Sequence, residues 1–129
     1  NWYWHRRSGT SSRWDWYSLP HNPNEAYLNF DFLVSNQRGG SGYDSTIRVR
    51  ITDQSGNYVE SGTVDLTNTF RPRLPEDTRG VGYEASGAYQ IRNPGEIRDG
   101  FRVRVEWPPR DNRNYFATQR SSVSLAYEY

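Results

Sequence analysis

Apolar and polar residues alternate strictly in segment after segment of this chain, and no stretch keeps the spacing of an amphipathic helix. A period of two sends successive side chains to opposite faces of a strand, so each segment suits a sheet with one dry face and one wet face. The clearest case is 100–107. There Phe101, Val103, Val105 and Trp107 share one face and Arg102, Arg104 and Glu106 the other, before Pro108 and Pro109 end the ladder. Ile47, Val49 and Ile51 alternate with Arg48, Arg50 and Thr52, and the turn formers Asp53-Gln54-Ser55-Gly56-Asn57 predict a hairpin that returns through 58–66. In that return strand the pattern changes phase between Val59 and Val64, with Gly62 as the expected bulge. Leu28, Phe30, Phe32 and Val34 form a further inward face, followed by a loop at Arg38-Gly39-Gly40-Ser41-Gly42. Residues 83–91 read as a strand interrupted at Ser86-Gly87, and 115–117 as a short one. At the C-terminus Val123, Leu125, Tyr127 and Tyr129 alternate with Ser122, Ser124, Ala126 and Glu128.

Short strands without crossover helices predict an all-β fold, a two-sheet antiparallel β-sandwich of jelly-roll or immunoglobulin-like type. At 129 residues the expectation is a single domain, 1–129, large enough for a core without disulfides or a structural metal. No internal repeat is visible.

Aromatic residues crowd the first seventeen positions, which hold Trp2, Tyr3, Trp4, Trp14, Trp16 and Tyr17. A turn at Ser8-Gly9-Thr10 would make 1–17 an arm or hairpin with Trp2 opposite Trp16 and Trp4 opposite Trp14, four indoles on one face. Three uses of such a surface compete. The rings cover one end of the sandwich as core, they pack on a neighbouring subunit with Arg6, Arg7 and Arg13 as a polar rim, or they stack on sugar rings.

Cys, Met and Lys are absent, and all sixteen basic residues are Arg. Loss of the oxidisable side chains suits a long-lived protein outside the cell, and arginine favours fixed bidentate contacts over solvated ones. No Asn precedes Gly, which agrees with a durable, thermostable chain. A GC-rich genome accounts for the Arg-for-Lys exchange equally well. The net charge of +1 argues against nucleic acid and anionic membranes, and for a neutral partner or self. No apolar stretch is long enough to span a bilayer. The chain starts at Asn1 without Met, from which we expect removal of an N-terminal segment and an extracellular, secreted or cell-surface location.

Catalysis has little to work with: no Cys or Lys, and His5 and His21 as the neutral-pH bases, neither spaced for a triad or a metal. No pair among the carboxylates is singled out for glycosidase chemistry, and 53–57 lacks the ligands of a calcium loop. We therefore expect no enzyme, no catalytic residue, no metal site and no cofactor. The arginine pairs Arg48-Arg50 and Arg102-Arg104 suit either a phosphate backbone or cross-strand salt bridges with Asp65, Glu60 or Glu106, and the near-neutral charge favours the salt bridges.

Both ends of the chain read as strands. A terminal strand that completes a neighbour's sheet joins subunits head to tail, and the candidates are the aromatic arm and the tail Val123, Leu125, Tyr127 and Tyr129. The run Ser61-Gly62-Thr63-Val64-Asp65-Leu66 resembles a segment of the TasA and camelysin type of secreted β-sandwich proteins, whose fibre-forming members build extracellular matrix by strand donation. That resemblance implies a secreted fibre subunit. The expectation is a structural subunit of an extracellular, self-assembling, pilus-like filament joined by donor strands. Its interface would be Trp2, Tyr3, Trp4, Trp14, Trp16, Tyr17, Val123, Leu125, Tyr127 and Tyr129. The alternatives are a carbohydrate-binding module with a Trp/Tyr stacking platform for polysaccharide, and a viral capsid or spike subunit.

Overall fold

A computed structural model of the chain describes residues 1–8, 13–36, 46–71, 81–106, 114–116 and 121–129. They form ten strands: β1 Trp2–Ser8, β2 Arg13–Trp16, β3 Glu25–Asn36, β4 Thr46–Asp53, β5 Tyr58–Asp65, β6 Thr67–Arg71, β7 Val81–Gln90, β8 Phe101–Glu106, β9 Asn114–Phe116 and β10 Ser122–Glu128. A single 3-10 turn at Pro94–Glu96 interrupts the connection between β7 and β8. The expected turn at Ser8-Gly9-Thr10, the loop at Arg38 to Gly42, and Trp107, Pro108, Pro109 and Ala117 fall wholly or partly outside the described residues.

The strands make two antiparallel sheets. One runs β1-β10-β3-β7-β6, with β9 also on β3, and the other runs β2-β8-β4-β5. With β6 and β9 set aside, the remaining eight strands fall in the order first-eighth-third-sixth in one sheet and second-seventh-fourth-fifth in the other. Apart from the β4–β5 hairpin, successive strands of these eight cross from sheet to sheet, as in a jelly roll. An immunoglobulin sandwich keeps its first two strands in one sheet, which this chain does not.

Alternation decides the packing. From the larger sheet Leu28, Phe30, Phe32, Val123, Leu125 and Tyr127 point inward, and from the smaller Ile47, Val49, Ile51, Phe101, Val103 and Val105, all of them buried. Each such side chain stabilises the fold by roughly 1.5–3 kcal/mol on leaving water. The hairpin of β4 and β5 turns as expected. Asp53 accepts the backbone N–H groups of Ser55 and Asn57 at 2.9 and 2.8 Å, and the bond from Asn57 above all holds its carboxyl below the usual range.

Two expectations about this region are corrected. The bulge lies between Ile51 and Thr52, opposite 58–60, and Gly62 pairs regularly with Val49. The phase change arises because Glu60, not a hydrophobic residue, takes the inward position and is 2% exposed. Gly62 instead makes room for a ring: a Cβ there would lie 2.7 Å from the Tyr89 side chain. Likewise β7 is not interrupted at Ser86-Gly87, since Gly87 pairs with Phe30 and admits Val64 and Leu66, which a Cβ would meet at 2.9 Å. Glu60 accepts hydrogen bonds from the Tyr89 hydroxyl at 2.5 Å and from the N–H groups of Arg92 and Asn93 at 3.0 and 2.9 Å. A buried carboxylate so surrounded binds the two sheets together.

Candidate functional site

Antiparallel register builds rows of side chains across the outer face of the larger sheet. Trp4, Ala126, Tyr27 and Gln90 stand side by side on β1, β10, β3 and β7, and beside them run Arg6, Ser124, Asn29 and Ala88. Trp2 lies at the next position along β1, opposite Glu128, which in turn pairs with Glu25. The small residues of β10 leave a trough between the rings. Trp2 and Trp4 are 43% and 67% exposed, so neither serves the core. The ring of Trp2 sits 6.4 Å from that of Trp4 and 5.9 Å from that of Tyr27, tilted by 33° and 38°. Together with Asn29 and Ala126 these three rings line a shallow groove of about 280 Å³. It offers apolar ring faces, an amide beside them and carboxylates at its rim, a combination that grips a ligand with one apolar face and many hydroxyls.

The structure separates the aromatic residues that the sequence groups together. The expected hairpin does not form: β1 pairs with β10 and β2 with β8, in different sheets. Trp14 and Trp16 therefore point into the core at 4% and 1% exposure, where Trp14 stacks on Phe32 and Trp16 on Phe101. Trp2 and Trp4 point outward on the other sheet. A turn in sequence brings two strands together, but the jelly roll crosses between sheets at that point. The tail is also placed differently from expectation. β10 lies between β1 and β3, with Val123, Leu125 and Tyr127 fully buried inside the chain's own sandwich. Of the ten residues expected at an interface, these three and Trp14 and Trp16 are core, and Tyr17 is 73% exposed, just beyond the end of β2.

Tyr3 and Tyr129 clasp the two ends of the chain. The Tyr3 hydroxyl donates to that of Tyr129 at 3.1 Å, and the Asn1 side-chain amide donates to the same oxygen at 3.2 Å. Two donated hydrogen bonds favour the phenolate of Tyr129 and lower its pKa, whereas donating to Tyr129 raises that of Tyr3. The Tyr3 hydroxyl also shares a hydrogen bond with His21 Nε2 at 3.1 Å, and the His21 ring stacks on Tyr129 at 4.0 Å. His5, inward on β1, stacks on Tyr127 at 5.7 Å. Both histidines are thus ring-packing elements. Among the described residues no group of three or more His, Asp or Glu is gathered as a metal site, and no helix is long and apolar enough to cross a membrane.

Tyr27, Asn29 and Ala126 join the site although the sequence did not point to them. Alternation around Leu28 and Phe30 already places Tyr27 and Asn29 on the outer face. What sequence pattern lacks is the pairing of β1 with β10 and of β10 with β3, which carries them to Trp2 and Trp4. The chain matches no family model and no curated protein.

Proposed function

We propose that this jelly roll is a binding module for neutral polysaccharide, which it holds in the groove of Trp2, Trp4 and Tyr27, outside the cell. The observation that carries this reading is two indoles left open to solvent beside a polar, small-residue sheet face. Their size favours a glycan over a protein. At roughly 250 Å² for a whole Trp, the exposed parts amount to about 270 Å², a third of the ~800 Å² per partner in a standard protein interface. A groove of about 280 Å³ sits at the lower edge of small-molecule sites, which suits one or two sugar rings of a longer chain lying across it. Asn29, Glu25, Glu128 and Gln90 stand where they can meet ring hydroxyls. The groups that drive catalysis have no part in this reading.

A glycan array followed by affinity electrophoresis tests it. Retention on a neutral polysaccharide that disappears in Trp4→Ala, with the fold intact, supports the module; no retention on any neutral glycan removes it.

A second reading, the self-assembling extracellular subunit, is supported by one feature: β1 is the edge of its sheet and carries the exposed tryptophans. An unpaired edge accepts a strand from another chain. Filaments or shells under negative-stain microscopy, and a mass in sedimentation that grows with concentration, would favour it over the glycan module.

A further inference from the structure

On the opposite side of the sandwich, the outer face of the smaller sheet gathers arginines. Arg13 on β2 pairs with Arg104 on β8, and Arg104 pairs with Arg50 on β4, so three guanidinium groups stand in one cross-strand row. Neighbouring strands are about 4.8 Å apart, so the row spans roughly 10 Å. Arg102 flanks it, and these four arginines with Thr52 and Gly56 line a groove of about 260 Å³. Like charges directly opposite on adjacent strands oppose folding. Of the three carboxylates expected from sequence to pair with the arginines, two are engaged elsewhere. Glu60 is buried against Tyr89, and Asp65 accepts from the Thr46 hydroxyl at 2.8 Å. Glu106 alone of the three expected partners comes near, 3.8 Å from Arg104 Nε and opposite Arg48. Asp15 holds Arg102 at 2.6 Å.

We infer that this groove binds a compact tetrahedral oxyanion, the sulfate or phosphate monoester group of a larger ligand. Arg50 Cζ lies over the Tyr58 ring, 5.6 Å from its centroid, and a guanidinium that rests its face on a ring keeps its in-plane N–H donors for an anion. Arg102 and Arg104 approach their carboxylates through Nε, and each guanidinium carries further N–H donors on its two terminal nitrogens. The same carboxylates define the size of the ligand. Asp15 beside Arg102 and Glu106 beside Arg104 place negative charge next to the row, where a nucleic-acid strand would have to continue. The site therefore suits one anionic group and not a charged backbone. Because it lies on the face opposite Trp2 and Trp4, it stands whether or not that groove holds sugar.

The test is an NMR titration of the whole chain with sodium sulfate, following the arginine Nε–Hε signals at ionic strength held constant with chloride. Expected are saturable shifts of Arg50, Arg102 and Arg104 but not of Arg98, and affinity at least about tenfold weaker in Arg104→Gln than in Arg98→Gln. Parallel titrations with inorganic phosphate, a sulfated oligosaccharide and a phosphorylated one show which source the site prefers. Shifts that follow ionic strength instead of sulfate overturn the inference. So does a single-stranded oligonucleotide bound tightly in both wild type and Arg104→Gln. Should Arg104→Gln fail to fold, Arg50→Gln on the neighbouring strand makes the same comparison, and the wild-type titration stands by itself.

Discussion

The hydroxyl of Tyr89 on β7 donates to the Glu60 carboxylate on β5 at 2.5 Å, joining the two sheets through a bond that both partners make while buried. Removing the hydroxyl leaves a buried carboxylate with fewer donors. Tyr89→Phe is expected to destabilise the protein by about 1.5–3 kcal/mol, the range for a hydrogen bond to a charged group, measured by urea denaturation.

The same pair imposes a pH dependence at the alkaline end. Burial, and after it the bond to Glu60, push the Tyr89 phenol far above the ordinary tyrosine value. The unfolded chain loses this proton near pH 10 while the folded chain keeps it, so the folded state holds more protons above that point. The stability contributed is whole below about pH 10 and declines as pH rises beyond it. Denaturation midpoints between pH 9 and 11 should fall more steeply for wild type than for Tyr89→Phe.

Gly62 lies under the ring of Tyr89, and a methyl group there would come within 2.7 Å of it. The ring is held at its far end by Glu60 and has little room to yield. Gly62→Ala is expected to cost about 1–3 kcal/mol by overpacking, against a gain of some tenths if the position were a simple strand residue.

Trp4 and Trp16, alike in type and unlike in place, should behave oppositely. Trp16→Ala removes a core ring and should cost about 3–5 kcal/mol in thermal or chemical denaturation. Trp4→Ala, at 67% exposure, should change stability by no more than about 0.5 kcal/mol and abolish glycan retention. An equal loss of stability in both would contradict the placement of β1 and β2 in separate sheets.

The Tyr127 hydroxyl is buried with no hydrogen-bond partner among the described residues. Its removal deletes an unsatisfied polar group and keeps the ring that stacks between Tyr3 and His5. Tyr127→Phe should be neutral or stabilising by up to about 1 kcal/mol, in contrast to Tyr89→Phe.

Alternation made the sandwich legible, because a side-chain period of two reports directly which face of a strand is dry. It placed Phe101, Val103 and Val105, and Ile47, Val49 and Ile51, correctly inside; it put Val123, Leu125 and Tyr127 on one face, but that face, expected at an interface, is core. It does not report which strand lies next to which. Residues 2–16 look like a hairpin because their aromatics are symmetric about a turn, yet the jelly roll sends the two halves to different sheets. Leu66 looked like the end of one strand, but there the chain crosses to the other sheet and starts β6, with no turn residue to mark the place. The phase change at Glu60 was visible, but a buried carboxylate breaks the pattern for a reason of charge pairing that only the approach of Tyr89, Arg92 and Asn93 discloses. The candidate groove was half legible: its tryptophans stand out in any reading, and Tyr27 and Asn29 reach them through contacts between strands far apart in the chain.

Trp2 pairs with Glu128, so the outermost pairing of the larger sheet joins residues separated by nearly the whole length of the chain, and β10 fills the gap between β1 and β3. Closing so long a loop is entropically slow, and contacts of this range place such a fold among the unhurried ones. During synthesis β1 waits, its tryptophans open to solvent and its neighbour unmade, until β10 clears the ribosome. The platform and the sheet pairing of β1 are thus completed in the same step, and a chain that stops short of β10 has neither.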